Sequence, residues 1–458
     1  MNAQDSEELV RRLYDRMVES LTQDSAGHGA AFNPDKTFIT LEGRGRIINP
    51  PDYAGAWSPG NLNGSIEVAQ TISDLADDAP NFSVRNTPSG AKVSDLYAQV
   101  LRATVTQQSP PDPKLDAAYK KAHDFLYVTA KDPDNPDIKI ETQSPVYQNY
   151  VNNQNNYNTA VSAFRAAFAN AMTNPSLKAT WPFLAPSLQM PVTQAWHAWR
   201  AAQADQVEAA LATLETSGKD QVKRAFSDAA LLFDSYRIGT DEAGGIGNSR
   251  RTTLLPSNWY DPGNMNGWPT FHFDYATASS NQSSDYTSAG GGGGFSLGLW
   301  SVGASASHTS SQFHSDASAQ NIHVEYKYAV ITIRRPWVNS LLFGLPGWKT
   351  DAFAKGNLSS GSRRGQNNTK FPLLPLAFIA IKGLHIRANL SESEVNQAKS
   401  AIQAGGSVGW GPFSVSGSYS HGHQEQHVKG AVSPAGIDIP FVQIIATIHQ
   451  IVPFCPPE

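Results

Sequence analysis

The feature that most constrains the fold is an internal repeat in the C-terminal half of the chain. A shift of 113 positions places Trp300–His308 on Phe413–His421, and five of the nine aligned residues are identical. The same shift places Phe271–Phe273 on Leu384–Ile386. A period of this length is too long for a solenoid or a propeller blade. It therefore predicts two duplicated β units that pack with pseudo-symmetry.

Further along the chain, the two copies align with a shift of 115 positions instead. This shift places a set of mostly apolar residues of the first copy on a similar set in the second copy. The aligned residues are Ile322, Val324, Tyr326, Thr332 and Ile333, which fall on Ile437, Ile439, Phe441, Thr447 and Ile448. Each unit is therefore predicted to contain an aromatic strand, a glycine-preceded amphipathic strand and a strongly apolar strand.

The two repeated segments alternate apolar residues with serine or glycine, which is the pattern of a strand that has two different faces. Nine residues at about 3.3 Å each span roughly 30 Å, the thickness of the hydrocarbon layer of a bilayer. We predict that the apolar side is a membrane or assembly face. Its residues are Trp300, Val302, Ala304, Ala306, Phe413, Val415 and Tyr419.

In composition, these segments are similar to the insertion hairpins of pore-forming proteins. The resemblance implies a toxin-like protein whose hairpins close into an oligomeric β-barrel, with serine and glycine lining the water-filled lumen. A second interpretation remains open, because small residues also let two sheets approach closely, and one buried face is enough to produce an alternating strand. In that case the protein is a self-assembling structural subunit without membrane activity.

A histidine cluster follows the second repeated segment. His421, His423, Glu425 and His427 occur at every second residue and so lie on one face of a strand. Such a cluster can bind a divalent metal and support a metal-dependent enzyme. Together with His308 it can also sense pH, because imidazoles gain charge between pH 5 and 8. Solvated imidazoles without a function are the third interpretation.

A formal match to a hydrolase motif fails on its context. Gly405–Gly409 reads Gly-x-Ser-x-Gly, but a helix-like segment precedes it and strands follow. A nucleophile elbow requires a strand before the serine and a helix after it. We therefore predict a non-enzymatic protein that needs no cofactor.

The remainder of the chain completes an α+β prediction. Residues 1–145 are expected to form a mixed region, with helices at Leu9–Leu21, Ser65–Ala76 and Ser94–Val105 and a strand at Thr37–Glu42. Residues 146–238 are expected to form a long antiparallel helical hairpin, broken by the proline-rich segment 173–191. Residues 239–269 are a predicted linker, 270–345 the first β unit, 346–370 a connecting loop and 371–458 the second β unit, which together make a C-terminal antiparallel β region.

The composition of the chain excludes several classes of binding partner and site. The net charge is −5 and no basic block is longer than two residues, which argues against nucleic acid. The single cysteine, Cys455, excludes an intrachain disulfide and a cysteine-rich zinc site. The acidic N-terminus does not resemble a signal peptide, and no apolar stretch has the length of a membrane helix. We expect a cytoplasmic protein, or one released without a signal peptide, whose partners are further copies of the chain and a membrane surface.

Overall fold

The computed structural model describes most of the chain. The described residues are 3–22, 36–86, 88–105, 113–131, 139–215, 221–238, 249–261, 263, 268–278, 299–303, 311–313, 318–363, 366, 368–421 and 424–458. Within them the protein has an α+β fold with nine α-helices and a C-terminal antiparallel β region. The helices are α1 (Ala3–Thr22), α2 (Ile66–Ala76), α3 (Val93–Leu101), α4 (Pro113–Leu126), α5 (Pro145–Thr173), α6 (Pro175–Ala201), α7 (Ala204–Glu215), α8 (Gln221–Ser235) and α9 (Glu392–Gln403).

Nineteen strands lie in the same described part of the chain. They are β1 (Thr37–Ile47), β2 (Asp78–Pro80), β3 (Pro88–Lys92), β4 (Thr104–Val105), β5 (Tyr127–Lys131), β6 (Lys139–Gln143), β7 (Thr253–Leu255), β8 (Thr270–Asp274), β9 (Trp300–Gly303), β10 (Ser311–Phe313), β11 (His323–Arg334), β12 (Trp348–Lys349), β13 (Leu373–Arg387), β14 (Ser407–Trp410), β15 (Phe413–His421), β16 (Gln424–Lys429), β17 (Ala431–Ser433), β18 (Gly436–Ile439) and β19 (Gln443–Ile451).

Most strands belong to two antiparallel sheets. The large sheet has the order β1-β19-β13-β11-β7, and β8 and β18 continue it beside the far ends of β11 and β13. The small sheet has the order β10-β9-β14-β15-β16. Strand β1 comes from the N-terminal region and pairs with β19 near the C-terminus, so the large sheet joins both parts of the chain.

The main hydrophobic core lies between the two sheets. Phe271, Tyr326 and Leu384 of the large sheet belong to the same buried cluster as Trp300 and Phe413 of the small sheet. The amphipathic helices α1 and α9 add buried aliphatic residues to it. The rings of Tyr326 and Phe413 meet at 6.0 Å, which is within the range of favourable aromatic pairs. The alternating segments of the sequence therefore supply core strands in this conformation.

The predicted strand Phe413–His421 is confirmed, because β15 has those bounds. The first copy begins as predicted with β9 at Trp300, and residues 304–310 lie outside the described part. The predicted helices at the N-terminus are confirmed at α1 and α2. Helix α3 ends earlier than predicted, at Leu101, and Thr104–Val105 pairs with β12 as a short strand.

The antiparallel helical hairpin is formed by α5 and α6, which are joined by Asn174 alone. Its pairing is set by aromatic contacts, with the ring of Tyr150 on Trp199 and the ring of Phe168 on Trp181. The predicted break is confirmed at Asn174, but the prediction that it extends to residue 191 is wrong. Helix α6 begins at Pro175, where the missing amide hydrogen costs nothing, and it continues through Pro182, Pro186 and Pro191.

The structure also sets the register of the repeat. Phe273 pairs with Val324 in the first unit, and Ile386 pairs with Ile437 in the second. Both residues of the second pair lie 113 positions after their counterparts. The shift of 115 positions is therefore wrong at this strand, since Ile437 is the counterpart of Val324 and not of Ile322.

Candidate functional site

A row of alternating imidazole and carboxylate groups crosses four adjacent strands of the large sheet. His272 on β8 lies opposite Glu325 on β11, Glu325 lies opposite His385 on β13, and His385 lies opposite Asp438 on β18. The Nδ1 atom of His272 is 3.3 Å from Glu325 Oε2. The Nδ1 atom of His385 is 2.6 Å from Asp438 Oδ1. We call these four residues the ion-pair row.

A second row runs beside the first, two residues further along each strand. The Nδ1 atom of His323 is 3.1 Å from Asp274 Oδ2, and Arg387 occupies the opposing position on β13. Side chains two residues apart point to the same side of a strand. The two rows therefore form one polar surface, bordered by Asp15 and Arg16 of α1, around a groove of about 1000 Å³.

Because side chains alternate between the two faces along each strand, the two rows lie on the outer side of the sheet. Phe273, Val324 and Ile386, one residue away from the charged positions, are buried in the main core. The other half of the same outer side is covered by Trp259 and Trp268. The ammonium group of the buried Lys382 lies 4.2 Å from the centre of the Trp268 ring and marks the boundary between the covered half and the polar half.

The two polar rows lie at the end of the sheet where two long segments leave it. The first excursion, residues 275–322, connects β8 to β11 and contains β9 and β10. The second excursion, residues 388–435, connects β13 to β18 and contains α9 and β14 to β17. Each has 48 residues, and each is closed by an equivalent hydrogen bond. Tyr275 N donates to Ile322 O at 3.1 Å, and Ala388 N donates to Ala435 O at 3.2 Å.

The start of the first excursion is also held by α1. The guanidinium group of Arg12 donates to the carbonyl oxygens of Tyr275 and Ala278 at 3.2 and 3.1 Å. Its carbon atom lies 4.5 Å from the centre of the Tyr275 ring, a favourable cation–π distance. The point at which the chain leaves the sheet is therefore flanked by exposed ion pairs on one side and held by a helix on the other.

The predicted membrane or assembly face lies partly in the core. Trp300, Phe413 and Val415 are fully buried, Val302 packs against the same cluster, and Tyr419 is half-buried. The Trp300 indole donates to Glu394 Oε1 at 3.2 Å. Ala304, Ala306 and His308 lie outside the described residues. In this conformation Trp300, Phe413 and Val415 face the main core, whereas Val302 and Tyr419 keep part of their surface in solvent.

The serine face of β15 makes close contacts of its own. Ser414 N donates to Gln443 Oε1 at 2.8 Å, and Ser416 Oγ donates to Gly406 O at 2.9 Å. On the opposite face of β15, a β-carbon at Gly417 would come within 2.8 Å of Ile47 Cδ1, so this position packs directly on β1. Small residues thus allow two layers to approach, as the second interpretation of the segments expects.

The predicted histidine cluster is only partly described. His427 is exposed, and its Nδ1 atom is 3.1 Å from Ser418 Oγ. The side chains of His421, His423 and Glu425 lie outside the described part, so the predicted metal site and pH sensor stay predictions. Among the side chains that are described, no group of three or more His, Cys, Asp or Glu residues is arranged to hold a metal ion.

Sequence reasoning did not single out the ion-pair row. The signal was present, because His272 and His385 align at the shift of 113 positions, as do Glu325 and Asp438. Two imidazoles and two carboxylates at matching positions of a duplicated strand pair indicate cross-strand ion pairs. At a shift of 115 positions Glu325 no longer aligns with Asp438, so the matching carboxylates were not recognised.

The chain matches no protein-family model. Comparison with the curated proteins finds no significant match, and neither does comparison with the solved structures. None of the helices in the described ranges is long and apolar enough to cross a membrane. The fold and the site define a two-sheet α+β protein with a duplicated strand–excursion–strand unit.

We expect the ion-pair row to contribute little to stability. All four of its side chains are largely exposed, and exposed pairs contribute about 0–1 kcal/mol each because water and salt screen them. The replacements His272→Gln and His385→Gln should each lower the free energy of unfolding by less than about 1 kcal/mol. Urea unfolding at neutral pH measures this. A loss above about 2 kcal/mol would show instead that the row holds the sheet together.

Proposed function

We propose that the protein self-associates and inserts its two excursions into a membrane as β-hairpins. One observation carries the proposal. Both excursions leave the sheet at one row of opposed residues, Asp274, His323, Arg387 and Gly436, between strands that already pair antiparallel. An excursion that straightened there would simply lengthen the two strands that flank it.

The length of each excursion is sufficient for this change. A membrane strand needs about 9–11 residues, and a hairpin therefore needs roughly 20. Each excursion has 48 residues, which leaves room for a loop and for extension outside the bilayer. The flanking strands also have the required alternation, since β8 and β11 present apolar residues to one side and charged residues to the other.

Insertion would move the apolar side chains from one apolar environment to another without leaving them in water. Trp300, Phe413 and Val415 are buried against the large sheet, and after insertion the same side chains would contact lipid. A change from a protein core to hydrocarbon leaves apolar groups out of water in both states. The hydroxyl groups of Ser414 and Ser416 would exchange protein hydrogen bonds for hydrogen bonds to water in a lumen.

A disulfide between the two excursions tests the proposal. Gly303 in β9 pairs with Ser407 in β14, so the excursions are joined to each other in this conformation. Insertion as separate hairpins must break that pairing. The double replacement Gly303→Cys/Ser407→Cys, when oxidised, should reduce dye release from vesicles of phosphatidylcholine and phosphatidylglycerol at least about tenfold, and a reductant should restore it.

The matched control places a disulfide within one excursion. Ser301 and Gln312 are paired in β9 and β10, and this pairing is compatible with an inserted hairpin. Oxidised Ser301→Cys/Gln312→Cys should therefore release dye like the wild type. Cys455 is buried and does not interfere. If wild-type protein releases no dye at neutral or mildly acidic pH, or if the Gly303–Ser407 lock has no effect, the insertion proposal is wrong.

A self-assembling subunit without membrane activity is the second candidate. The burial of Trp300, Phe413 and Val415 in the main core favours its lack of membrane activity, because these side chains already have an apolar environment in the large sheet. The two candidates differ in one experiment. Oligomers in solution, measured by native mass spectrometry, together with intact vesicles would support the structural subunit.

A further inference from the structure

The outer half of the α5–α6 hairpin carries an unusual amount of exposed apolar surface. We define the hairpin tip as residues 164–190, which surround the turn at Asn174. Phe183 is 84% exposed and Met190 is 54% exposed, and Phe168, Leu184 and Leu188 are also exposed. Single exposed apolar residues are common on protein surfaces, but five large ones on one short hairpin mark an interaction site.

Helix α6 is apolar on two opposite sides at the tip. Val192 packs against α5, and Ala185, seven residues before it, is also buried. Phe183 and Met190 are also seven residues apart, and they lie about 200° around the helix from the first pair. A surface helix normally places polar residues on the side away from its core. The outer side of α6 is therefore built for a second apolar environment.

The charge of the hairpin identifies that environment. The sequence has 40 acidic residues in 458, but none between Glu141 and Asp205. The tip contains two basic residues, Arg165 and Lys178, and no residue of opposite charge. A segment that has exposed apolar side chains, contains basic residues and lacks carboxylates complements a bilayer with anionic headgroups.

The hairpin tip meets the rest of the protein at Gln189, near its base, and extends away from that point. The loop at residues 57–62 holds the base of the hairpin, where Thr193 Oγ1 donates to Gly60 O at 2.8 Å and Gln189 Nε2 donates to Asn61 Oδ1 at 2.6 Å. The ring of Trp181 contacts Phe164 and Phe168, so the aromatic contacts of the tip join its own two helices. At 1.5 Å per residue, the tip extends roughly 20 Å from this base.

The prolines of α6 limit how deeply the tip can enter a bilayer. Pro182, Pro186 and Pro191 have no amide hydrogen, so the carbonyl groups four residues earlier lack their usual helical donor. Such carbonyl groups need water or another donor, and they are costly in hydrocarbon. These residues favour a position at the level of the headgroups, where water remains available.

We infer that the hairpin tip docks the protein on the surface of a bilayer that contains anionic phospholipid. The inference rests on the proposed membrane function and deepens it, because it names the lipid class and the surface that makes first contact. Docking by the tip and insertion of the excursions involve different residues. The two steps can therefore be separated by experiment.

Vesicle flotation tests the docking. The triple replacement Phe183→Gln/Leu184→Gln/Met190→Gln removes exposed side chains only, and its thermal unfolding should match that of the wild type. Its binding to vesicles of equal parts phosphatidylcholine and phosphatidylglycerol should fall at least about tenfold. The matched control is Leu231→Gln/Leu341→Gln, which removes apolar residues that are 69% and 60% exposed elsewhere and should leave binding unchanged.

Charge variants test the lipid class. Arg165→Gln/Lys178→Gln should weaken binding to the anionic vesicles about tenfold, and it should not change binding to pure phosphatidylcholine. Wild-type protein that fails to float, or a triple variant that floats normally, overturns the docking inference. Dye release measured on the same samples separates the two steps. Flotation without release rejects insertion and supports docking, whereas normal release by the triple variant rejects docking and leaves insertion in place.

Discussion

Replacement of Gly436 by alanine is expected to lower the free energy of unfolding by about 3–5 kcal/mol. Gly436 has φ +144°, a backbone conformation that side chains other than glycine rarely adopt. A β-carbon there would also come within 1.9 Å of the carbonyl oxygen of Ile386. Ile386 belongs to β13 and pairs with strands on both sides, so its backbone has no room to move.

Replacements of two other glycines distinguish the cost of backbone strain from the cost of a steric clash. Gly405 also has a positive φ, +76°, but a β-carbon there meets nothing within 4 Å. Gly405→Ala should therefore cost only about 1–2 kcal/mol. Gly344 has open space and no positive φ, and Gly344→Ala should change stability by less than about 0.5 kcal/mol. Urea unfolding of all three variants measures the difference. Equal losses for Gly436→Ala and Gly405→Ala would show that the clash is relieved.

Acid is expected to destabilise the protein through His449. This side chain is buried between β1 and β13, with its Nε2 atom 2.9 Å from Thr40 Oγ1. Burial, and to a smaller extent the nearby Arg335 guanidinium, lower the pKa of His449 to about 3. In the unfolded chain an imidazole titrates near its ordinary value of about 6.5. The native state therefore excludes a proton that the unfolded state accepts.

The sign and the pH window follow from this difference. Above about pH 6.5 neither state binds the proton, and His449 has no effect on the pH dependence. As the pH falls from about 6.5 toward 3, the unfolded state gains about 1.4 kcal/mol per pH unit, so at pH 5 the loss is about 2 kcal/mol. His449→Gln should reduce this slope. Denaturant unfolding of the wild type and the variant across the range checks this, and parallel slopes for the two proteins would contradict the prediction.

The strands of the small sheet were predictable because their pattern is local. In Phe413–His421, serine occupies every second position, and Phe413, Val415 and Tyr419 lie between the serines, which is the period of a strand. Helix α1 was predictable for the same reason, since Leu9, Leu13 and Met17 recur every four residues and all three are buried. Periodicity decides the type of element wherever one face packs on a core.

The continuity of α6 was not predictable from its prolines. Three prolines inside a helix normally end it, because each removes a hydrogen bond. In α6 all three are exposed, so water can reach the carbonyl groups that they leave without a donor. Packing of Trp181 and Val192 against α5 holds the inner side. This tertiary compensation has no local signal in the sequence.

Prediction of the ion-pair row required the correct alignment of the two copies, and the hydrophobic pattern alone does not fix that alignment. Because side chains alternate with a period of two, a shift of two residues keeps apolar positions on apolar positions. Shifts of 113 and 115 therefore fit the apolar pattern of β11 and β18 equally well. Only the charged pairs distinguish them, since Glu325 aligns with Asp438 at 113 and not at 115. In a repeat of this kind, the polar residues carry the register.

The pairing of β1 with β19 has a consequence for biosynthesis. The nascent chain delivers Thr37–Ile47 early, but its partner strand emerges only after about 400 further residues have been added. At about 5–20 residues per second, translation leaves this edge unpaired for roughly 20–80 s. An exposed strand edge is a template for pairing with another chain. Ribosome-associated chaperones that shield β1 during this interval should therefore raise the yield of correctly closed sheet.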